Sequence, residues 1–184
     1  MEVLTWILVS FKENFKQLQR EDDGSCVTIA KPRPEEFSVV RTTLIPGLLK
    51  TMEANKAMNL PVDIFECGDV VVKDPTRDTG ARNNRRLAAL HCGATSGFEE
   101  MHSLVDRLMQ QNNVVFKGEE RKDDKRKVYE IHNSEDPTFF PKRRADILID
   151  GEKVGVFGIV HPGVLENFNL TYPCSIMELN LEKF

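Results

Sequence analysis

Few of the residues able to do chemistry in this 184-residue chain stand at spacings that would let them act together. Neither GxxxxGK[ST] nor GxGxxG occurs, so the two common glycine-rich cradles for phosphate are absent. HExxH and the EF-hand calcium loop are missing too, which excludes metal chemistry by those routes. Asp146, Asp150 and Glu152 could serve as paired carboxylates. However, Asp146 and Asp150 flank a hairpin signal at Gly151, where acidic residues are ordinary turn and surface choices, and the turn reading is preferred. His161 titrates near neutrality and could be a general base. It lies directly before Pro162 with no identifiable Ser or Cys partner, so it is read as a helix cap. His91 and Cys92 adjoin in a strand-like run and should point to opposite faces, which argues against a shared ligand site. Cys26, Cys67, Cys92 and Cys174 are far apart with no CxxC, as expected of reduced thiols in a cytosolic protein.

Basic residues offer a different chemistry, the binding of phosphate. Two clusters are clean in sign, one of Arg82, Arg85 and Arg86 and one of Lys142, Arg143 and Arg144. The second adjoins Phe139 and Phe140, so stacking combined with charge is conceivable, as in single-stranded nucleic-acid sites. An anchored loop with surface arginines is the plainer account. Residues 117–127 mix six basic with four acidic side chains, the pattern of a solvated loop rather than a phosphate track.

The elements that must position these groups follow from periodicity. Val3 to Val9 reads as a strand, and Ser10 with Glu13 forms a capping box for a helix through Gln19 carrying Phe11, Phe15 and Leu18. Cys26 to Ala30 reads as a short strand ended by Pro32 and Pro34. Ile45, Leu48, Leu49 and Met52 recur at helical spacing, which predicts a helix over 44–57 with Thr43 as cap and Pro46 in its first turn. Strands are expected over Val62 to Val72 and Arg86 to Gly93, followed by an amphipathic helix over 98–111. Val128 to His132 and Ala145 to Asp150 read as strands. Asp150-Gly151 turns the chain into Lys153 to Val160. A short helix from Pro162 to about Phe168 and a last strand from Cys174 to Leu181 complete an α+β layout, with the helices on one sheet face.

Composition bounds the rest. At 40% hydrophobic residues the chain can bury one sizeable core, and its length fits one domain over residues 1–184. A net charge of −4 provides no global field for phosphate, so a free-standing nucleic-acid binder is disfavoured. The longest apolar runs, such as Leu4 to Val9, fall well short of the roughly 20 residues of a membrane span. The expectation is a soluble intracellular chain with no membrane partner.

Several ordered blocks resemble one family. Glu36 to Lys50, with Arg41-Thr42-Thr43-Leu44-Ile45-Pro46-Gly47 at its centre, is similar to the phenylalanyl-tRNA synthetase beta subunit, as is Phe65 to Val71. Gly80 to Asn83, Gly97 to Glu99, Asp106-Arg107, Asp136 to Pro141, Gly155 to Pro162, Tyr172 to Ser175 and Glu178 to Leu181 follow in the order of its cytosolic type. The resemblance covers nearly the whole chain.

It implies a class II aminoacyl-tRNA synthetase-like antiparallel sheet flanked by helices. It also implies a cytoplasmic assembly of two alpha and two beta subunits, with tRNA bound by the full complex and catalysis carried by alpha. ATP and magnesium are then expected in the full complex, and no cofactor on this chain. Catalytic class II domains place one arginine after a strand to hold ATP phosphate and another after a later glycine-rich strand, where a rigid bidentate fork suits the work. Here those places read Lys73-Asp74 and His161-Pro162, which implies a domain that does not activate phenylalanine. The family's upstream editing, tRNA-contacting and magnesium-associated regions have no counterpart, so Met1 is expected to be the start of a truncated piece. The helix face with Arg41, Leu44, Ile45, Leu48, Leu49 and Met52 is the expected contact with the alpha subunit, core packing being the alternative. Other readings are a small-molecule enzyme using Glu66, Asp69, Arg143 and His161, and an RNA-binding module using the two basic clusters.

Overall fold

A computed structural model describes residues 1–119 and 125–184. The first elements are β1 (Leu8–Val9), α1 (Phe11–Asn14) and β2 (Val39–Val40), with β1 and β2 paired antiparallel. The strand expected over Val3 to Val9 is therefore cut to its last two residues. The capping box forms as expected: Ser10 Oγ accepts from the Glu13 N–H at 3.1 Å, and the Glu13 carboxylate accepts from the Ser10 N–H at 2.8 Å. The helix does not continue to Gln19. Phe15 leaves helical geometry (φ −130°, ψ −75°) and a 3-10 turn, Lys16–Leu18, follows. That break lets both Phe15 and Leu18 enter apolar cores while Phe11 stays on the surface. From Cys26 to Ala30 only Thr28 makes a strand bridge, to Val39.

α2 (Ile45–Ala54) has Pro46 in its first turn and buries Ile45, Leu48, Leu49 and Met52. It stops short of residue 57, where Asn55 folds its side-chain amide back onto the Thr51 carbonyl. β3 (Val62–Lys73) and β4 (Ala81–Cys92) then pair without interruption from Val62↔Cys92 to Lys73↔Ala81. β4 begins at Ala81, not Arg86, because backbone pairing continues past the point where its apolar residues give way to polar ones. α3 (Phe98–Gln111) has the predicted bounds. β5 (Val115–Phe116), β6 (Val128–Asn133), β7 (Phe139–Ile149), β8 (Glu152–Val160), α4 (Pro162–Asn167) and β9 (Cys174–Asn180) complete the frame. Of the charged segment 117–127, residues 120–124 lie outside the described residues.

Seven strands form one sheet in the order β3-β4-β9-β8-β7-β6-β5. Every neighbouring pair is antiparallel except β5 with β6. Asp150 and Gly151, at φ 49° and 81°, make the tight β7–β8 turn, both in the positive range that a type I′ hairpin requires. The helices are not confined to one sheet face. Side chains alternate along each strand, and on β9 Cys174 and Ile176 join a core with α2 and α4, whereas Met177 and Leu179 join one with α3. Among the described residues no helix is long and apolar enough to cross a membrane.

Candidate functional site

The sheet face beneath α2 changes character along its strands. At one end Val62, Ile64, Leu90, Cys92 and Ile176 are apolar and covered by α2 and α4. At the other the same alternation brings up Glu66, Arg86, Glu178, Asn180 and Asp146, with Ala88↔Glu178, Arg86↔Asn180 and Asp146↔Val156 in register. A recess of about 320 Å³ opens there, lined by Arg20, Arg86, Asp136, Lys153, Glu178 and Asn180.

Glu178 organises this end. Its carboxylate accepts from the Leu44 N–H at 2.6 Å and from Thr43 Oγ1 at 2.9 Å, capping α2 from a distant strand. It also accepts from Arg86 Nη1 at 2.9 Å. Arg86 Nε donates to Asn84, and Asn84 donates in turn to Asn180 and Glu182. Thr43 keeps part of the cap role expected of it, its Oγ1 accepting from the Ile45 N–H at 3.3 Å, and Glu178 takes the Leu44 N–H. An ionised carboxylate accepts more strongly than a hydroxyl, and it satisfies the helix N-terminus and the guanidinium together.

Two further ion pairs fix the surroundings. Arg20 grips Asp136 through two bonds, Nη2 to Oδ2 at 2.6 Å and Nε to Oδ1 at 3.2 Å. Burial pushes the Asp136 carboxyl up, but the Arg20 charge and hydrogen bonds, with the Thr138 N–H, outweigh it and hold the group below the usual carboxylate range. Arg41 and Glu66, almost wholly buried, meet at 2.8 Å, and Thr5 Oγ1 donates to the other Glu66 oxygen at 2.6 Å. Arg41 Nε also donates to the Asp69 carbonyl at 2.9 Å, which ties the segment before α2 to β3, as the Thr5 bond ties the N-terminal segment.

The residues expected at a subunit contact lie inside this chain's own core. Leu44, Ile45, Leu48 and Leu49 have no solvent exposure, and Met52 and Arg41 have 2% and 4%. Of the two readings weighed for that face, core packing fits, since these side chains present no surface to a partner. The first basic cluster lies on β4, and each member faces acid: Arg82 towards Asp74 and Glu182, Arg85 towards Asp69, Arg86 towards Glu178. In the second, Arg144 turns inward to the Ser134, Asp136 and Phe139 carbonyls, while Lys142 and Arg143 are exposed. Glu66, Asp69, Arg143 and His161 are not gathered at the polar recess. His161 caps α4 as expected, its Nδ1 accepting from the Gly163 N–H at 3.1 Å. Asp146 pairs with Lys153 at 2.8 Å. Among the described residues, no three His, Cys, Asp or Glu side chains stand where they could hold a metal ion.

Residues 1–181 match the family model for the phenylalanyl tRNA synthetase beta chain CLM domain. The chain belongs to this family. It is 47% identical to the cytoplasmic phenylalanine-tRNA ligase beta subunit of Arabidopsis thaliana, over 98% of the chain and 31% of that relative. Identity is 45% to the beta subunit of Drosophila melanogaster and 43% to that of Homo sapiens, over all of the chain and 31% and 30% of those proteins. The chain therefore spans about a third of the length of these relatives. Its fold is similar to that of a pyrrolysyl tRNA synthetase from Desulfitobacterium hafniense, with a TM-score of 0.73 at 12% identity, over 100% of this chain and 60% of that one.

As a CLM domain, the chain holds its central acidic residue, Glu178, where periodicity alone did not point. Glu178 was legible only as an alternating polar position in the last strand. Its partners, Thr43, Leu44 and Arg86, are remote in sequence. The Arg20–Asp136 grip was equally hidden, because both residues occupy loops. The glycine-rich strand β8 has a local reason: a Cβ on Gly155 would stand 2.5 Å from the Glu178 carbonyl oxygen.

Proposed function

We propose that this chain is a structural, non-catalytic part of a cytoplasmic phenylalanine-tRNA ligase, packed against a separate catalytic alpha subunit within an assembly that also holds a second beta subunit. The observation that carries the reading is the closed wiring of the polar sheet end. Both guanidinium groups lining the recess are engaged, Arg86 by Glu178 and Asn84 and Arg20 by Asp136, and Glu178 is committed to the α2 N-terminus. The two places where class II catalysis puts an arginine have local duties instead. Asp74 accepts from the Thr76 N–H and hydroxyl, and His161 caps α4. The residues present do not fit a bound ATP, and no step of amino-acid activation is assigned to them. ATP and magnesium belong, on this reading, to the alpha subunit, and tRNA to the whole complex.

Packing against a partner is supported by apolar side chains left in solvent near the N-terminus. Leu4 and Trp6 are 84% and 78% exposed, Ile7 and Phe11 are also exposed, and Trp6 leans on Phe37 at 6.4 Å between ring centroids. Obligate interfaces resemble a core cut in half, and such patches mark them. Co-expression with the phenylalanine-tRNA ligase alpha subunit tests the reading: a stable complex and no ATP-pyrophosphate exchange by the chain alone are expected. Exchange by the isolated chain would overturn the non-catalytic assignment, and failure to form a complex would overturn the packing role.

A further inference from the structure

The apolar end of the sheet holds two cysteines face to face. Cys92 ends β4, Cys174 begins β9, and they are direct partners in the antiparallel register. The next pair outward is joined by the Gly93 N–H donating to the Pro173 carbonyl at 3.3 Å. By the alternation of antiparallel ladders, Cys92 and Cys174 therefore form a non-hydrogen-bonded pair. Such pairs keep Cα atoms about 4.5 Å apart with their side chains leaning together, inside the ~4.4–6.8 Å range that a disulfide spans. Both side chains project into the α2 core, and the Cys174 thiol donates to the Tyr172 carbonyl at 3.5 Å. Cys26 sits in a separate small core with Val9, Phe15 and Val39, and Cys67 lies on β3.

We propose that Cys92 and Cys174 form a reversible oxidation site that closes into a cross-strand disulfide when a hydroperoxide reaches it. Cys92 is the attacking sulfur, because the Cys174 proton is engaged by the Tyr172 carbonyl. The neighbouring Cys174 thiol holds Cys92 below the usual range against the opposing effect of burial, while the Cys92 thiol and burial together push Cys174 up. The Cys92 thiolate attacks one peroxide oxygen, the O–O bond breaks, and the products are a Cys92 sulfenic acid and an alcohol, or water from hydrogen peroxide. Cys174 sulfur then attacks Cys92 sulfur. The S–O bond breaks, and the departing hydroxide takes the Cys174 proton as water. Two electrons pass from the dithiol to the peroxide, and an added dithiol reverses the change.

Both sulfurs are buried, so the reaction needs a local opening. The pair lies at the termini of two strands, where the Gly93–Pro173 bond closes the ladder beyond it. Fraying at such an end takes less free energy than opening the sheet centre, and it uncovers both thiols at once. The wider functional reading of the domain plays no part in this chemistry.

The test uses the full chain exposed to hydrogen peroxide, followed by alkylation, intact mass measurement and peptide mapping. The expected result is loss of two hydrogens, a single Cys92–Cys174 linked peptide pair, alkylated Cys26 and Cys67, and recovery of four free thiols with dithiothreitol. Oxygen added to Cys92 without a link, a link involving Cys26 or Cys67, or four unreacted thiols would each overturn the proposal. In Cys174→Ser the first step should stop at the sulfenic acid, trapped by dimedone at Cys92. Dimedone on Cys26 or Cys67 instead would count against Cys92 as the attacking group.

Discussion

Glu178 carries three structural duties on one carboxylate, and removing it strands two kinds of donor at once. In Glu178→Ala the buried Leu44 N–H and the partly buried Arg86 guanidinium both lose this acceptor. Breaking a buried ion pair from one side costs about 3–5 kcal/mol, so the melting temperature should fall on the order of 10 °C. Calorimetry of the variant checks this, and a shift below about 2 °C would show that water replaces the carboxylate without loss. Asp136 gives a pH-dependent counterpart. Its folded pKa is depressed, so its contribution is present above the unfolded value of about 3.9 and lost as pH falls through the folded value. The stability gap between the parent chain and Asp136→Asn should therefore be largest near neutrality and shrink below about pH 4. Denaturant titrations across that range measure it. A gap independent of pH would mean that charge is not what Arg20 recognises. Neither residue could be singled out from spacing, because periodicity reports which face a side chain occupies and not which distant group it meets.

Elements with a strong repeat were readable from sequence, and those whose ends depend on pairing were not. Helix α3 has its predicted bounds because Met101, Val105 and Met109 recur on one face and all are buried. The Asp150-Gly151 turn was legible for a comparable local reason, since two adjacent positive φ values restrict the residues that fit. β4 begins earlier than its apolar run because β3 extends the ladder through polar residues, and β7 begins early because Phe139 pairs with Val160 across a register shift that ends at Arg144. The early end of α1 reflects competition between propensity and burial, which Phe15 and Leu18 win for the core. β8 offers a test at this scale. A Cβ at Gly155 would meet the Glu178 carbonyl oxygen at 2.5 Å and Leu179 Cδ2 at 2.6 Å, and the first of these is backbone. Gly155→Ala should therefore push β8 from β9 and destabilise the chain by about 1–3 kcal/mol, read as a lowered urea midpoint. An unchanged midpoint would show that the two strands can slide apart freely.

For the molecule as a whole, charge is largely satisfied internally and apolar surface is what remains unpartnered. The net charge of −4 excluded a broad phosphate field, and the fold strengthens that by setting the arginines of β4 against carboxylates. The N-terminal segment was read from its β-branched and aromatic residues as a strand. Its backbone instead runs along the β3 edge, with the Val3 N–H donating to the Phe65 carbonyl at 2.8 Å, and its larger side chains turn to solvent. Nothing in the alternation of Val3 to Val9 could report that, because a strand-like pattern looks the same whether the covering layer belongs to the chain or to a partner. A double variant, Leu4→Asp with Trp6→Asp, separates the two cases. Both residues are highly exposed, so each change should cost no more than about 0.5 kcal/mol and leave the melting temperature nearly unaltered. The parent chain should self-associate as its concentration rises in sedimentation velocity, and the double variant should remain monomeric and fail to co-purify with the alpha subunit. If the variant binds the alpha subunit as well as the parent does, the subunit contact lies elsewhere. A large loss of melting temperature would instead mean that Leu4 and Trp6 hold the segment against β3, with the exposed patch a by-product of that attachment.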